Sequence, residues 1–212
     1  MKLYSWSTAP NPRRAKMYVA EKGIDVEIVE AGDPDSPAQL SPDFRKRFPH
    51  MRVPILELDD GDWIGEAPAI CRYLEALYPD PPLLLGRNPK EIAVVEMWER
   101  LAEWEGLMAV SEVFRNTHRA FVGRGLAGYD VDIPQIPELA ERGRLRLGKF
   151  FEKIDERLAG NAFLAGEIFS LADITALCAI DFGISRKLPI PDGCANVRRW
   201  HEEVSARPSA SA

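Results

Sequence analysis

The chain changes its hydrophobic rhythm once. Before Pro79-Asp80-Pro81-Pro82, short apolar stretches of strand length alternate with helical ones; after Pro89 only a helical period remains. Such a switch requires two differently built units. The first 78 residues read as βαβα–ββα. The spacing therefore predicts an α/β domain over residues 1–80, a linker over 81–88 and an all-α domain over 89–212, within a length that suits two small domains.

In the first unit, residues 2–6 alternate as a strand should. Asn11 is expected to cap a helix that opens with Pro12, runs over 13–22 and stops at Gly23. Val26, Ile28 and Val29 mark a second strand; Gly32, Pro34 and Pro37 mark a loop over 31–37; residues 38–48 read as a helix, with Arg45, Lys46 and Arg47 on its solvated face. Val53–Leu58 reads as a strand with Pro54 near its start, where proline is tolerated. Asp59–Asp62 is a hairpin turn, Trp63–Gly65 the returning strand, and Pro68 opens a helix to about Tyr78.

In the second unit Val94, Trp98, Leu101, Trp104 and Met108 form one apolar stripe at helical spacing, and Leu147, Phe150, Ile154 and Leu158 a second. Ser170 and Asp173 form a capping-box variant, flanked by Phe169 and Ile174 at the staple positions. Residues 195–206 make a last helix, and 123–128 with 131–137 form one long connection.

Composition excludes several classes of function. A net charge of −6 argues against nucleic acid as the partner, since binding it needs a cationic footprint. No apolar run approaches the ~18 residues of a membrane span, so no membrane association is expected. The N-terminus opens directly on a strand pattern, and Cys71, Cys178 and Cys194 lie far apart with no CxxC spacing. A cytoplasmic protein with reduced thiols, without disulfides or metal, is therefore expected.

Three segments carry the chemistry. The first is Ser7-Thr8-Ala9-Pro10-Asn11-Pro12-Arg13-Arg14, between the first strand and the first helix. Hydroxyl donors beside the positive end of a helix can stabilise an anion, and Ser7 and Thr8 are the hydroxyls available. The second is Arg52-Val53-Pro54-Ile55-Leu56, and the third Gly65-Glu66-Ala67-Pro68-Ala69-Ile70-Cys71-Arg72-Tyr73-Leu74.

Together these segments resemble the glutathione transferase family over nearly the whole chain, and TAPNPRR is similar to the bacterial and fungal branch typified by the second yeast enzyme. The resemblance implies a thioredoxin-like N-terminal domain, an all-helical C-terminal domain lining an electrophile pocket, and glutathione as co-substrate. It implies a cis bond before Pro54, so that Val53 offers its main-chain groups to the cysteinyl part of glutathione, with Arg52 and Arg13 among the glutathione-binding residues. The glycine that the family usually carries near His50 or Met51 is missing here.

Glu66 would hold the γ-glutamyl ammonium. The following serine of the family is Ala67 here, which keeps the backbone N–H of a helix-terminal anion site and loses the hydroxyl. The thiol-activating group is to be found among Ser7, Thr8, Asn11 and a water held by His118, and Trp104 and Phe114 are candidates for the electrophile pocket. The resemblance implies a homodimeric detoxification enzyme that joins the glutathione thiol to an apolar electrophile. A binding or regulatory protein with weak or no conjugating activity is the alternative, favoured by Ala67, and dehalogenation, isomerisation or peroxide reduction would use the same co-substrate.

Overall fold

A computed structural model describes residues 1–33 and 35–212. Strands β1 (Lys2–Ser5), β2 (Glu27–Glu30), β5 (Ile55–Glu57) and β6 (Trp63–Gly65) form one mixed sheet in the order β2-β1-β5-β6. β1 runs parallel to β2 and antiparallel to β5, with Leu3 opposite both Ile28 and Leu56. Helix α1 (Pro10–Lys22) makes the βαβ crossover, and α3 (Ala67–Leu77) packs beside it over Leu3, Leu56, Ile70 and Leu74, all fully buried. This is the expected thioredoxin-like unit.

Three local expectations change. The stretch 31–48 holds a small hairpin, β3 (Gly32–Asp33) with β4 (Ser36–Leu40), and then α2 (Pro42–Arg47), where a loop and a longer helix were expected. Pro42 forces the residue before it out of the helical region, and Ser41 sits extended at ψ 150 with its Oγ accepting from the Phe44 N–H, so the helix cannot begin earlier. Pro34, part of the expected loop, lies outside the described residues. Helix α1 begins at Pro10, with Ala9 at the capping position, so Asn11 stands inside the first turn. β5 begins after Pro54, leaving Val53 off the ladder.

The all-helical part of the chain begins with α4 (Pro89–Leu101), capped by the Asn88 side chain, and continues through a π-helical stretch, Ala102–Leu107, into α5 (Met108–Thr117). The buried line is Val95, Glu99, Ala102, Gly106, Ala109/Val110 and Val113, offset by one residue from the expected stripe already at Val95, and Trp104 and Met108 face outward. A Cβ at Gly106 would stand 2.9 Å from the Phe150 ring, so this close crossing with α6 (Pro137–Leu158) needs glycine. The expected stripe Leu147, Phe150, Ile154, Leu158 is buried on α6.

Helix α7 (Leu171–Ser185) is buried on every side from Leu171 to Ile180 and forms the centre of the molecule. Its capping box forms as expected. Asp173, fully buried, accepts from the Leu164 and Ser170 N–H groups, the Ser170 hydroxyl and the indole N–H of Trp200 on α8 (Ala195–Ser205). Among the described residues no helix is long and apolar enough to cross a membrane.

Candidate active site

α1 packs against α7. Met17 meets Cys178, Arg14 reaches Thr175, and Arg13 reaches Asp181 near the end of α7. The start of α1 therefore lies against α7 of the helical domain, with Arg14 on Thr175 and Arg13 on Asp181.

The first turn of α1 is short of donors, because Pro10 and Pro12 have no N–H. Asn11 fills part of that gap. Its Oδ1 accepts from Nη1 of Arg14 at 2.9 Å, which fixes the orientation of the amide and leaves its N–H₂ as a donor. Arg14 is itself immobilised. Only 1% exposed, it donates through Nε to Thr175 Oγ1 at 3.0 Å, through Nη1 to Glu103 at 3.0 Å, and through Nη2 to Glu99. Glu99 is fully buried and its Oε2 has no partner. Burial raises its carboxyl above the ordinary range against the pull of Arg14.

Sequence reasoning missed this cluster. Arg14 was hidden beside Arg13, and Glu99 occupies a buried helical position where a hydrophobic pattern registers a gap. The signal that could have found it is a carboxylate at 99, four residues after Val95 on the buried line.

The other expected activating groups are less constrained. Ser7 and Thr8 are exposed in the turn before α1, and no described residue fixes either hydroxyl. His118 ends α5; its Nδ1 accepts from the Ala120 N–H at 3.3 Å, so a neutral imidazole carries its proton on Nε2 and acts there as a donor. Arg13 is committed elsewhere: Nη1 to Asp181 at 2.6 Å and Nη2 to the Ala210 carbonyl at 2.9 Å.

The second and third segments meet. The Val53-Pro54 bond is cis, and neither main-chain group of Val53 has a hydrogen-bond partner among the described residues. Glu66 stands just before α3 in a left-handed conformation, φ 66, with its carboxylate 3.6 Å from Arg52. Ala67 opens α3 with no capping side chain, and Pro68 follows it, so the Ala67 N–H is left for an anion. Where the family's glycine is missing, Met51 takes the left-handed conformation itself, φ 46, and its N–H reaches the Phe48 carbonyl at 3.0 Å. Arg52 also donates to the Ala127 carbonyl at 3.3 Å. The connection after α5 thus lies over this strand, and at Gly128 (φ +84) a Cβ would come within 2.5 Å of Arg52 Nε.

The end of α5 carries an aromatic wall. Phe114 has Phe121, His118 and Phe182 around it, with ring centres 4.9, 5.1 and 5.4 Å away. The Arg186 guanidinium lies over Phe114 at 4.0 Å, and Arg115 over Phe121 at 4.7 Å. Burial, then repulsion from Arg124 and Arg52, bring Arg115 down to about 10. Trp104 is not part of this wall; it is 55% exposed, with Arg100 over its ring. The cysteine thiols are buried, and burial raises all three, so among the described residues no reactive protein thiol competes at the cleft.

Residues 3–82 match the family model described as "Glutathione S-transferase, N-terminal domain", and residues 108–208 the model "Glutathione S-transferase, C-terminal domain". Glutathione S-transferase 2 of Saccharomyces cerevisiae is 33% identical, the alignment covering 99% of this chain and 87% of that protein. Glutathione S-transferase F12 of Arabidopsis thaliana is 30% identical over 99% of this chain and 94% of its own. Among solved structures, a glutathione S-transferase domain-containing protein of Marinobacter aquaeolei VT8 superposes with a TM-score of 0.87 at 35% identity, covering 99% of both chains. Gtt2 of Saccharomyces cerevisiae also gives 0.87, at 31% identity, covering 100% of this chain and 99% of that one. With both domains matched and their order and fold reproduced, the chain belongs to the glutathione S-transferase family, an enzyme with glutathione as its co-substrate.

Proposed function

We propose that this enzyme joins the glutathione thiol to an apolar electrophile, and that the Asn11 side-chain amide is the donor that stabilises the thiolate. The observation carrying this reading is the Arg14–Asn11 bond: it holds the amide with its N–H₂ free at the positive end of α1. Ser7 and Thr8 have no comparable anchor. A donor held in place before the charge forms stabilises it without reorganisation.

Glutathione supplies the nucleophilic sulfur. Val53 pairs its free main-chain groups with the cysteinyl unit, Glu66 receives the γ-glutamyl ammonium, and the Ala67 N–H receives the adjacent carboxylate. Arg52 faces the glycyl carboxylate. His118 donates from Nε2 and so orients a water at the mouth of the cleft. Phe114 offers the electrophile an apolar face.

Met97, Trp104, Met108 and Leu145 are exposed apolar residues of α4 to α6, and we read them as part of a homodimer face. Detoxification in the cytoplasm is the role this chemistry suits. Scattering that returned the mass of one chain would remove the dimer.

The test of the activating group is thiol ionisation. Glutathione bound to the parent is titrated by its ultraviolet thiolate absorbance, alongside Asn11→Ala. A rise of about one pKa unit in the variant, equal to about 1.4 kcal/mol, is expected. An unchanged titration refutes Asn11 as the donor.

A further inference from the structure

Most half-buried arginines of this chain have an acceptor: Arg13 holds Asp181, Arg45 holds Asp130, Arg146 holds Glu112, Arg157 the Leu164 carbonyl and Arg207 Glu21. Arg186 differs. Its side chain makes no hydrogen bond or ion pair with a described residue, and its Nε is buried without a partner. Its contacts are with rings: the guanidinium carbon lies 4.0 Å from the centre of Phe114 and 5.3 Å from that of Phe182. Burial alone lowers its affinity for its proton.

A guanidinium held flat on an aromatic face keeps its edge donors for a further acceptor, and planar bidentate anions fit that edge. The position is also specific. Arg186 follows α7 directly, and Asp181, five residues earlier, holds Arg13 of the first turns of α1. Phe114 carries the same guanidinium, and Arg115 beside it feels the charge of Arg52. The cation therefore stands on the rings that the reading above gives to the electrophile, and it is not one of the groups that reading gives to glutathione.

We infer that the electrophile class of this enzyme is an aromatic or apolar molecule bearing a carboxylate or sulfonate. Its apolar body lies on Phe114 and Phe182, and Arg186 receives its anionic group. This rests on the transferase reading above. In the reaction with an activated aryl halide, the sulfur–carbon bond forms first, the ring and its nitro groups hold the electron pair, and the carbon–halogen bond then breaks. The halide leaves with the bonding pair, and the thiol proton has already passed to solvent.

The test compares a chlorodinitrobenzoate with its methyl ester, each rate divided by the uncatalysed rate with free glutathione. The parent should favour the carboxylate. In Arg186→Met, which keeps the stem on Phe114, the carboxylate-to-ester ratio of kcat/KM should fall about tenfold through KM, and Arg186→Lys should retain part of it. A ratio unaffected by Arg186→Met overturns the inference. Should that variant not fold, calorimetry on the parent decides: the anionic thioether product must bind more tightly than its ester, with a salt-dependent affinity, and equal affinities overturn the inference. If the ester is turned over and charge makes no difference, the anion inference alone falls. If glutathione does not bind and neither compound reacts, the transferase reading falls with it.

Discussion

Replacing Arg14 by methionine keeps its volume and removes its charge. Glu99, fully buried, then loses its counter-ion, and Thr175, Asn11 and Glu103 each lose a donor. Breaking a buried pair from one side costs about 3–5 kcal/mol, because the remaining charge is uncompensated. For a chain of this size each kcal/mol is worth roughly 2–4 °C, so Arg14→Met should melt about 10 °C below the parent near pH 8.

The loss must also depend on pH, with a defined sign. Burial already raises the Glu99 carboxyl in the parent, against the pull of Arg14. Without Arg14 the folded value rises further, so the native state binds more protons than the unfolded state between the two values. Stability then falls as pH rises through that window, and the variant should stand closer to the parent at pH 5 than at pH 8. Urea unfolding at the two pH values measures this. A loss under about 1 kcal/mol at pH 8, or a loss that grows on acidification, refutes the assignment of Glu99 as a buried charge that depends on Arg14.

Three further outcomes are expected. Ala67→Ser restores a hydroxyl at the buried first position of α3 and should tighten glutathione binding about tenfold by calorimetry. Met51→Gly relieves a left-handed methionine, φ 46, and should stabilise the protein by roughly 0.5–1 kcal/mol in urea unfolding, after the entropy that glycine costs. Burial would raise Asp181, but its bonds from His201 and Arg13 outweigh this and hold it below the usual carboxylate range. Its contribution is present above the ordinary value of about 4 and is lost as pH falls through the folded one, so Asp181→Asn should be less stable than the parent at pH 7, with the gap closing toward pH 2.

The change to helices alone after Pro79–Pro82 and the order βαβ–ββα were legible because proline and period change act locally. So was the capping box of α7, whose residues lie three apart. The start of α1 was misplaced by two residues because Pro10 and Pro12 are equally suited to a first helical turn, and only the tertiary contacts of Arg14 and Arg13 decide which one opens it. The stripe through Trp104 was displaced by one residue because the buried line carries Glu99 and Gly106, which an apolar pattern does not register, while aromatic residues stand beside it. Glu66, Ala67 and Val53 could be located by their motif, whereas Arg186 could not, since its meaning lies in the absence of a partner.

The position of the Arg14–Glu99 network bears on what it is for. A buried pair with one unpaired carboxylate oxygen is a poor source of stability, and an apolar pair of similar volume is often as stable or more so. Arg14→Met with Glu99→Leu should therefore recover most of the melting temperature that Arg14→Met loses. It does not restore the anchor of the Asn11 amide. The double variant should fold and bind glutathione, yet hold the thiol at the higher pKa expected of Asn11→Ala, with kcat/KM reduced at neutral pH and recovering toward alkaline pH. Adding Asn11→Ala to it should then change the titration little, since both act on one donor. If the double variant ionises the thiol as well as the parent does, the network serves folding alone and Asn11 is not held for catalysis.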